Sequence, residues 1–412
     1  MIGSRHHRLH RTIENAEKEN HIMTENSDLD FRHATPAFRT FVGDKAMSAL
    51  PRELDRVGAS RAVVITVKPL LDYPEAMQRL HDALGSKLVG LFDGVVEHSP
   101  LPAVLDARQY LEDMEADAII AVGGGSSVVT ARASSILLAE GKDIRELCTQ
   151  RGADGKLASP RLSAPKLPQW VVPSTPTSAY AKAGAAVRDP ATGERLALFD
   201  PKARAQGVIL DPVMAATAPE RLAWSASLNV FSMAIEGLQS STVDPLADAL
   251  LMGALRGVNE WLPQLASDPK GVQPRLNLML ASLLSGQGSD FTGGGLAQAL
   301  SHAIGPRSSA SNGVVEALML PHVTRWNAPV AAARIAGMGA GLGIADRSVE
   351  GVITEIERLL EVFEVPTRLR DIGVESDAIT EVADHAMDDW SITTGPRAVD
   401  RQQLIELLTA AW

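Results

Sequence analysis

The chain has 412 residues, 45% of them hydrophobic and 22% charged, with a net charge of −11; that is enough to bury a full core and to divide into two domains. The acidic balance argues against nucleic acid or an anionic membrane as the main partner, because both require a concentrated positive field, and points to a small-molecule substrate. The single cysteine, Cys148, excludes an internal disulfide, and no stretch approaches the roughly 18 apolar residues of a spanning helix, so a cytoplasmic location is expected.

Residues 1–35 read as a flexible leader, because they mix both charge signs and lack an apolar core. Their clustered His6, His7 and His10 have no packed framework around them and read as a solvated tail rather than a metal site. From Phe38 the pattern changes. "RAVVITV" (61–67) is a buried parallel strand, "PEAMQRLHDALG" a helix closed by Gly85, and "KLVGLFDGV" a second strand. "PAVLDARQYLEDMEA" is helical, and "DAIIAVGGGSS" (117–127) is a strand running straight into glycines. This alternation predicts an α/β N-terminal domain with a doubly wound parallel sheet over residues 36–213. "QWVVPST" (169–175) is a further strand entering a loop. The Gly-, Pro- and Lys-rich "RGADGKLASPRLSAPKLP" is an exposed connection, and "GERLALFDPKARAQGVILDP" gives a hairpin or a pair of short strands. Beyond residues 212–214 nearly every segment has i, i+3/i+4 apolar spacing, so residues 214–412 form an all-helical domain.

Gly123, Gly124, Gly125 and Ser126 lie between a buried strand and a helix. There, backbone N–H groups at the helix N-terminus stay free, and glycine lets a pyrophosphate approach closely. The run is not G-x-G-x-x-G, so a tight turn without a ligand is the competing reading.

Across residues 36–412 these segments, in this order, resemble the iron-containing alcohol dehydrogenase superfamily: "AVGGGSS", "VPSTPTS", "VILDP", "LNVFSMAIEGLQS", "DPLADALLMGAL", "GGGLAQALSHAIG", "NGVVEALMLPHVTRWN" and "TTGPRAVDRQQL". "LPRELDRVGASRAVVIT" and "LFDGVVEHSPLPAV" look most like its maleylacetate reductase branch. The resemblance implies an α/β dinucleotide-binding domain joined to an all-helical domain that carries a metal. It also implies a nicotinamide cofactor, held by Gly123–Ser126 and by Ser174, Thr175, Thr177 and Ser178, and a homodimer.

The family's metal is held by an aspartate and a histidine four apart, a histidine on the glycine-led helix, and a histidine before a glycine in the next loop. Here those positions are Asn229, Met233, Gln298 and Asn312. Two Asn, one Gln and a thioether bring no charge to offset a divalent cation, so no metal is expected. Glu236 and Glu316 lie nearby in sequence and read as exposed or paired acids. If hydride transfer survives, the amides of Asn229, Gln298 and Asn312 would form a neutral oxyanion pocket. His302, one turn after Gln298, is the leading acid and Tyr180 the second; His322 reads as structural. Where NAD-preferring members carry an aspartate at the end of the first strand, this chain has Val67 and then Lys68. NADP(H) is therefore favoured over NAD(H), with Lys68 against the 2′-phosphate.

The expected activity is a metal-independent, NAD(P)H-dependent reduction of a carbonyl or enol group in a small molecule, carboxylated ones included. Arg132, Lys182 and Arg397 are the possible anion partners. The alternative is a non-redox lyase, isomerase or cyclase on the same fold.

Overall fold

The computed structural model describes residues 31–154 and 156–412; the three leader histidines lie outside them. The first half is a six-stranded parallel sheet. Its strands are β1 (Arg39–Val42), β2 (Ala62–Ile65), β3 (Leu88–Phe92), β4 (Ala118–Gly123) and β5 (Gln169–Pro173), with a later strand, β8 (Gly207–Leu210), in the order β1-β8-β5-β4-β2-β3. The chain steps from β2 outward to β3 and then returns to place β4 on the other side of β2. The crevice beyond the carboxyl ends of β2 and β4 is thus the topological switch point, where open α/β sheets hold their ligands.

Both β2 and β4 are buried along their whole length. That is why they read as unbroken apolar runs, because helices cover both faces of a parallel sheet. The longer helices of this half are α1 (Leu50–Arg56), α2 (Pro74–Leu84), α3 (Leu101–Asp113) and α4 (Gly125–Glu140). The expected hairpin is the antiparallel pair β6 (Gly184–Arg188) and β7 (Arg195–Phe199), a separate two-stranded sheet, whereas β8 joins the main one.

The second half is helical: α5 (Glu220–Gln239), α6 (Pro245–Ser267), α7 (Val272–Thr292), α8 (Leu296–Ile304), α9 (Asn312–Met338), α10 (Val349–Val362), α11 (Ile379–Met387) and α12 (Arg401–Ala411). It has its own apolar core, built around Phe231, Leu255, Leu300, Val315 and Ile356. No helix among the described residues is long and apolar enough to cross a membrane.

Two expectations are corrected here. The end of the proposed leader is anchored: His33 Nδ1 lies 2.7 Å from Asp244 Oδ2, and the imidazole stacks on Phe291 with centroids 3.9 Å apart. Asn312 is not in a loop but is the first residue of α9.

Candidate active site

At the switch point, Gly123 adopts φ +130°, and a Cβ there would meet Ser127 Oγ at 2.6 Å; only glycine fits. Helix α4 starts two residues later, so Gly124, Gly125 and Ser126, all half-exposed, present first-turn amides that no helix carbonyl can satisfy. The loop after β5 lies directly against this turn. Ser174 N donates to the Gly123 carbonyl at 3.0 Å. Thr175 Oγ1 and Thr177 Oγ1 are 3.1 and 3.2 Å from where Cβ atoms on Gly124 and Gly125 would stand. Ser178 is clamped from behind, its carbonyl pressed on Gly286 of α7. Lys68 is exposed and opens a short turn after β2, whose Leu70 packs beside Gly123. Gly123–Gly125, Ser174, Thr175 and Thr177 therefore meet at one helix N-terminus suited to an anion, with Lys68 on the neighbouring turn and Ser178 buried against α7.

The helical half faces this crevice with a cluster of neutral polar groups. Asn229 and Met233 are one turn apart on α5, and Gln298 Nε2 on α8 reaches Met233 Sδ at 3.0 Å. Gln298 Oε1 accepts from Ser391 Oγ at 3.0 Å. Gly313, beside Asn312, is pressed against the Ser225 carbonyl and the backbone amide of Asn229, so α9 starts against α5, while Asn312 Oδ1 itself lies 2.7 Å from where a Cβ on Gly305 would stand. Glu236 and Glu316 are buried, 3% and 1% exposed, and not surface acids. Glu236 accepts the amides of Ala297 and Gln298 at 2.6 and 3.0 Å, so it caps α8. Burial nevertheless pushes its carboxyl up to about 7. Glu316 accepts from Asn229 Nδ2 at 2.6 Å and Ser301 Oγ at 3.1 Å. Burial, and then the charge of Glu236, push it up to about 8.

These groups do not fit the metal that the fold family implies. The four facing side chains are neutral, and both nearby carboxylates already hold two hydrogen-bond donors each. Among the described residues, no group of three His, Cys, Asp or Glu side chains could hold a metal ion.

Several expected roles change. Tyr180 is fully buried, and its hydroxyl donates to the Thr175 carbonyl. Burial raises its pKa beyond the ordinary phenol range, so it braces the cofactor loop and is not an acid facing substrate. Arg132 is also fully buried. Its guanidinium donates to the carbonyls of Ala203, Gly184 and Ala179 at 3.3, 2.7 and 2.8 Å, so it is unavailable to an anion. Arg397 lies flat on Trp326, 3.5 Å from the ring centroid. His302 Nδ1 is 2.6 Å from Asp389 Oδ2. Burial, and then the Arg195 charge, hold the imidazole below its usual range. The imidazole and the Asp389 carboxyl thus form one buried hydrogen-bonded pair.

Sequence reasoning missed Arg195 on β7, whose charge reaches His302, Asp389 and Glu316 across the crevice. Lys182, just ahead of β6, faces Asp290 and Glu316 as well, and burial lowers it to about 8. No motif marks Arg195 or Asp389, since both belong to segments that only the fold brings together. Glu316 had a signal, because it lies four residues after Asn312 on one helix face.

A parallel-sheet half with a glycine turn at its switch point, joined to an all-helical half, defines the class by its fold. Residues 37–212 match the family profile described as iron-containing alcohol dehydrogenase, and residues 223–412 the one described as Fe-containing alcohol dehydrogenase family, C-terminal. The chain belongs to the iron-containing alcohol dehydrogenase family, and it is an oxidoreductase. It is 26% identical over 377 residues to maleylacetate reductase 1 of Cupriavidus pinatubonensis, covering 91% of this chain and 95% of that one. It is 27% identical over 389 residues to lactaldehyde reductase of Escherichia coli K12, with 90% and 97% covered. The fold superposes on sulfoacetaldehyde reductase from Bifidobacterium kashiwanohense, solved in complex with NAD+, with a TM-score of 0.82 at 19% identity, over 93% of this chain and 99% of that one.

Proposed function

We propose that the protein is an NAD(P)H-dependent reductase of a small carbonyl or enol compound that works without the family's metal. The observation carrying this reading is the pairing of an open glycine–threonine crevice with a wall whose ligand positions hold Asn229, Met233, Gln298 and Asn312. The pyrophosphate would lie on the first turn of α4, with Ser174, Thr175, Thr177 and Ser178 along the nicotinamide arm. NADP(H) is preferred over NAD(H), since Lys68 stands where an acid would repel a 2′-phosphate. The amide N–H groups of Asn229, Gln298 and Asn312 would steady the oxygen on which charge develops; one such donor is typically worth about 10²–10³ in rate.

Lys182 and Arg195 form no hydrogen bond or ion pair among those described, so they are available to a carboxylate on the substrate. The enzyme is read as a cytoplasmic homodimer. The test is a fluorescence titration of metal-stripped, chelator-treated protein with NADPH and NADH, beside Gly124→Asp. The expected result is saturable NADPH binding that is tighter than NADH binding and is lost in the variant. Binding of neither nucleotide overturns the proposal.

A further inference from the structure

Residues 33–38, helices α6 and α7, and Ala181 and Arg204 of the sheet half line a cavity of about 350 Å³. That volume falls at the lower end of the roughly 300–1,000 Å³ typical of small-molecule sites. The wall is mainly apolar, with Phe38, Ala181, Leu250, Leu284 and Phe291 in it. One side is fastened in place, because His33, also on the wall, lies 2.7 Å from Asp244 and stacks on Phe291 with centroids 3.9 Å apart. None of the residues assigned to the cofactor lines this cavity, and neither does any of Asn229, Met233, Gln298 and Asn312.

Two polar groups in this apolar wall have nothing to bond. Arg204 Nε is buried without a hydrogen-bond partner, while a terminal nitrogen of the same guanidinium is paired with Asp290. Gln287, half-buried on α7, forms no hydrogen bond among the described residues. A buried donor left unmade is costly, and the hydrocarbon around it cannot answer it. Because Asp290 already balances the Arg204 charge, what the cavity lacks is an acceptor and not an anion.

We propose that this cavity is a binding site for a compact, uncharged, mainly apolar molecule with one acceptor oxygen. That oxygen receives the Arg204 Nε–H and the side-chain amide of Gln287, and the apolar body packs among Phe38, Leu284 and Phe291. A few convergent polar groups in an apolar cavity are the usual make-up of such a site. The assignment stands independently of the reductase reading. Its position is nevertheless close to the cofactor loop. Ala181 follows Tyr180, which donates to the Thr175 carbonyl; Arg204 follows Ala203, whose carbonyl Arg132 holds; and Gln287 follows Gly286, on which the Ser178 carbonyl is pressed.

The experiment follows two probes by saturation-transfer NMR on the full chain: N,N-dimethylbenzamide, which has an acceptor oxygen and is not reduced by a nicotinamide, and ethylbenzene, which has no acceptor. The expected result is saturable binding of the amide, with ethylbenzene weaker by about tenfold. Gln287→Leu should weaken the amide several-fold and leave ethylbenzene unchanged. Ala249→Trp, placed on the exposed rim of the cavity, should fill it and abolish binding of both. Each variant should keep the wild-type circular dichroism, since neither side chain makes a bond that holds the fold. No saturable binding, equal affinity for the two probes, binding that survives Ala249→Trp, or displacement of the amide by NADPH each overturns the proposal. A lower sedimentation mass in Ala249→Trp, with no probe bound by wild type, makes the cavity a contact between copies of the chain and overturns it as well.

Discussion

Two glycine triplets lie on this molecule, each directly ahead of a helix, and they meet opposite fates. At Gly123–Gly125 the first-turn amides of α4 face an open crevice. At Gly293–Gly295 the amides of Ala297 and Gln298 are taken by the buried carboxylate of Glu236 at 2.6 and 3.0 Å. A glycine run before a helix is therefore not in itself an anion site; what decides is whether the chain already supplies an acceptor for the amides. The first triplet leaves room for a ligand, whereas the second leaves room for a side chain. A Cβ on Gly295 would lie 2.4 Å from Glu236 Oε1.

The sharpest way to break this contrast is Gly295→Ala. Driving a methyl into Glu236 should cost about 3 kcal/mol, read as a lower urea midpoint; the same change at Gly125, where a Cβ would meet only Thr177 at 3.2 Å or more, should cost less. Glu236→Gln comes next. It removes one acceptor from a buried pair of amides, at about 1–3 kcal/mol. It should also flatten the pH dependence of stability. Burial raises the folded-state pKa of Glu236 to about 7, above that of an unfolded carboxyl, so the folded protein holds the extra proton. Stability is full below the unfolded value and falls as pH rises towards about 7; the variant lacks that fall. Urea midpoints at several pH values check the sign. Smallest is Lys68→Ala, expected to weaken NADPH binding several-fold, on the order of 1 kcal/mol, with NADH unmoved.

Much of this contrast was legible in the chain. "DAIIAVGGGSS" betrayed a buried strand meeting a free helix N-terminus, because a fully covered parallel strand must be apolar throughout and glycine must follow where the backbone turns tightly. The helical half was equally plain in its 3.6-residue spacing. The reading of Asn229, Met233, Gln298 and Asn312 as the family's ligand positions came only from the family likeness, since Asn, Met and Gln inside a helix carry no pattern of their own. The structure adds that Asn229, Met233 and Gln298 meet on one wall. What could not be read was burial of charge. Arg132 looks like a cation beside a cofactor loop, yet three carbonyls from distant segments enclose it. Glu316 looks like a surface acid on an amphipathic helix, yet Asn229 and Ser301 enclose it from two other helices. Arg195 is a strand residue until the hairpin is folded across the crevice.

The buried guanidinium of Arg132 acts as a rivet. It grows from α4 and grips the carbonyls of Ala179, Gly184 and Ala203, that is, the end of the hydroxyl loop, the root of the β6–β7 hairpin and the turn after it. Helix, loop and hairpin are thereby fastened into one mechanical body. Lys182 lies between two of those fastenings, and Arg195 rides on the hairpin that Gly184 begins. The first-turn amides of α4 and the two cations over the opposite wall are therefore held at fixed positions relative to one another.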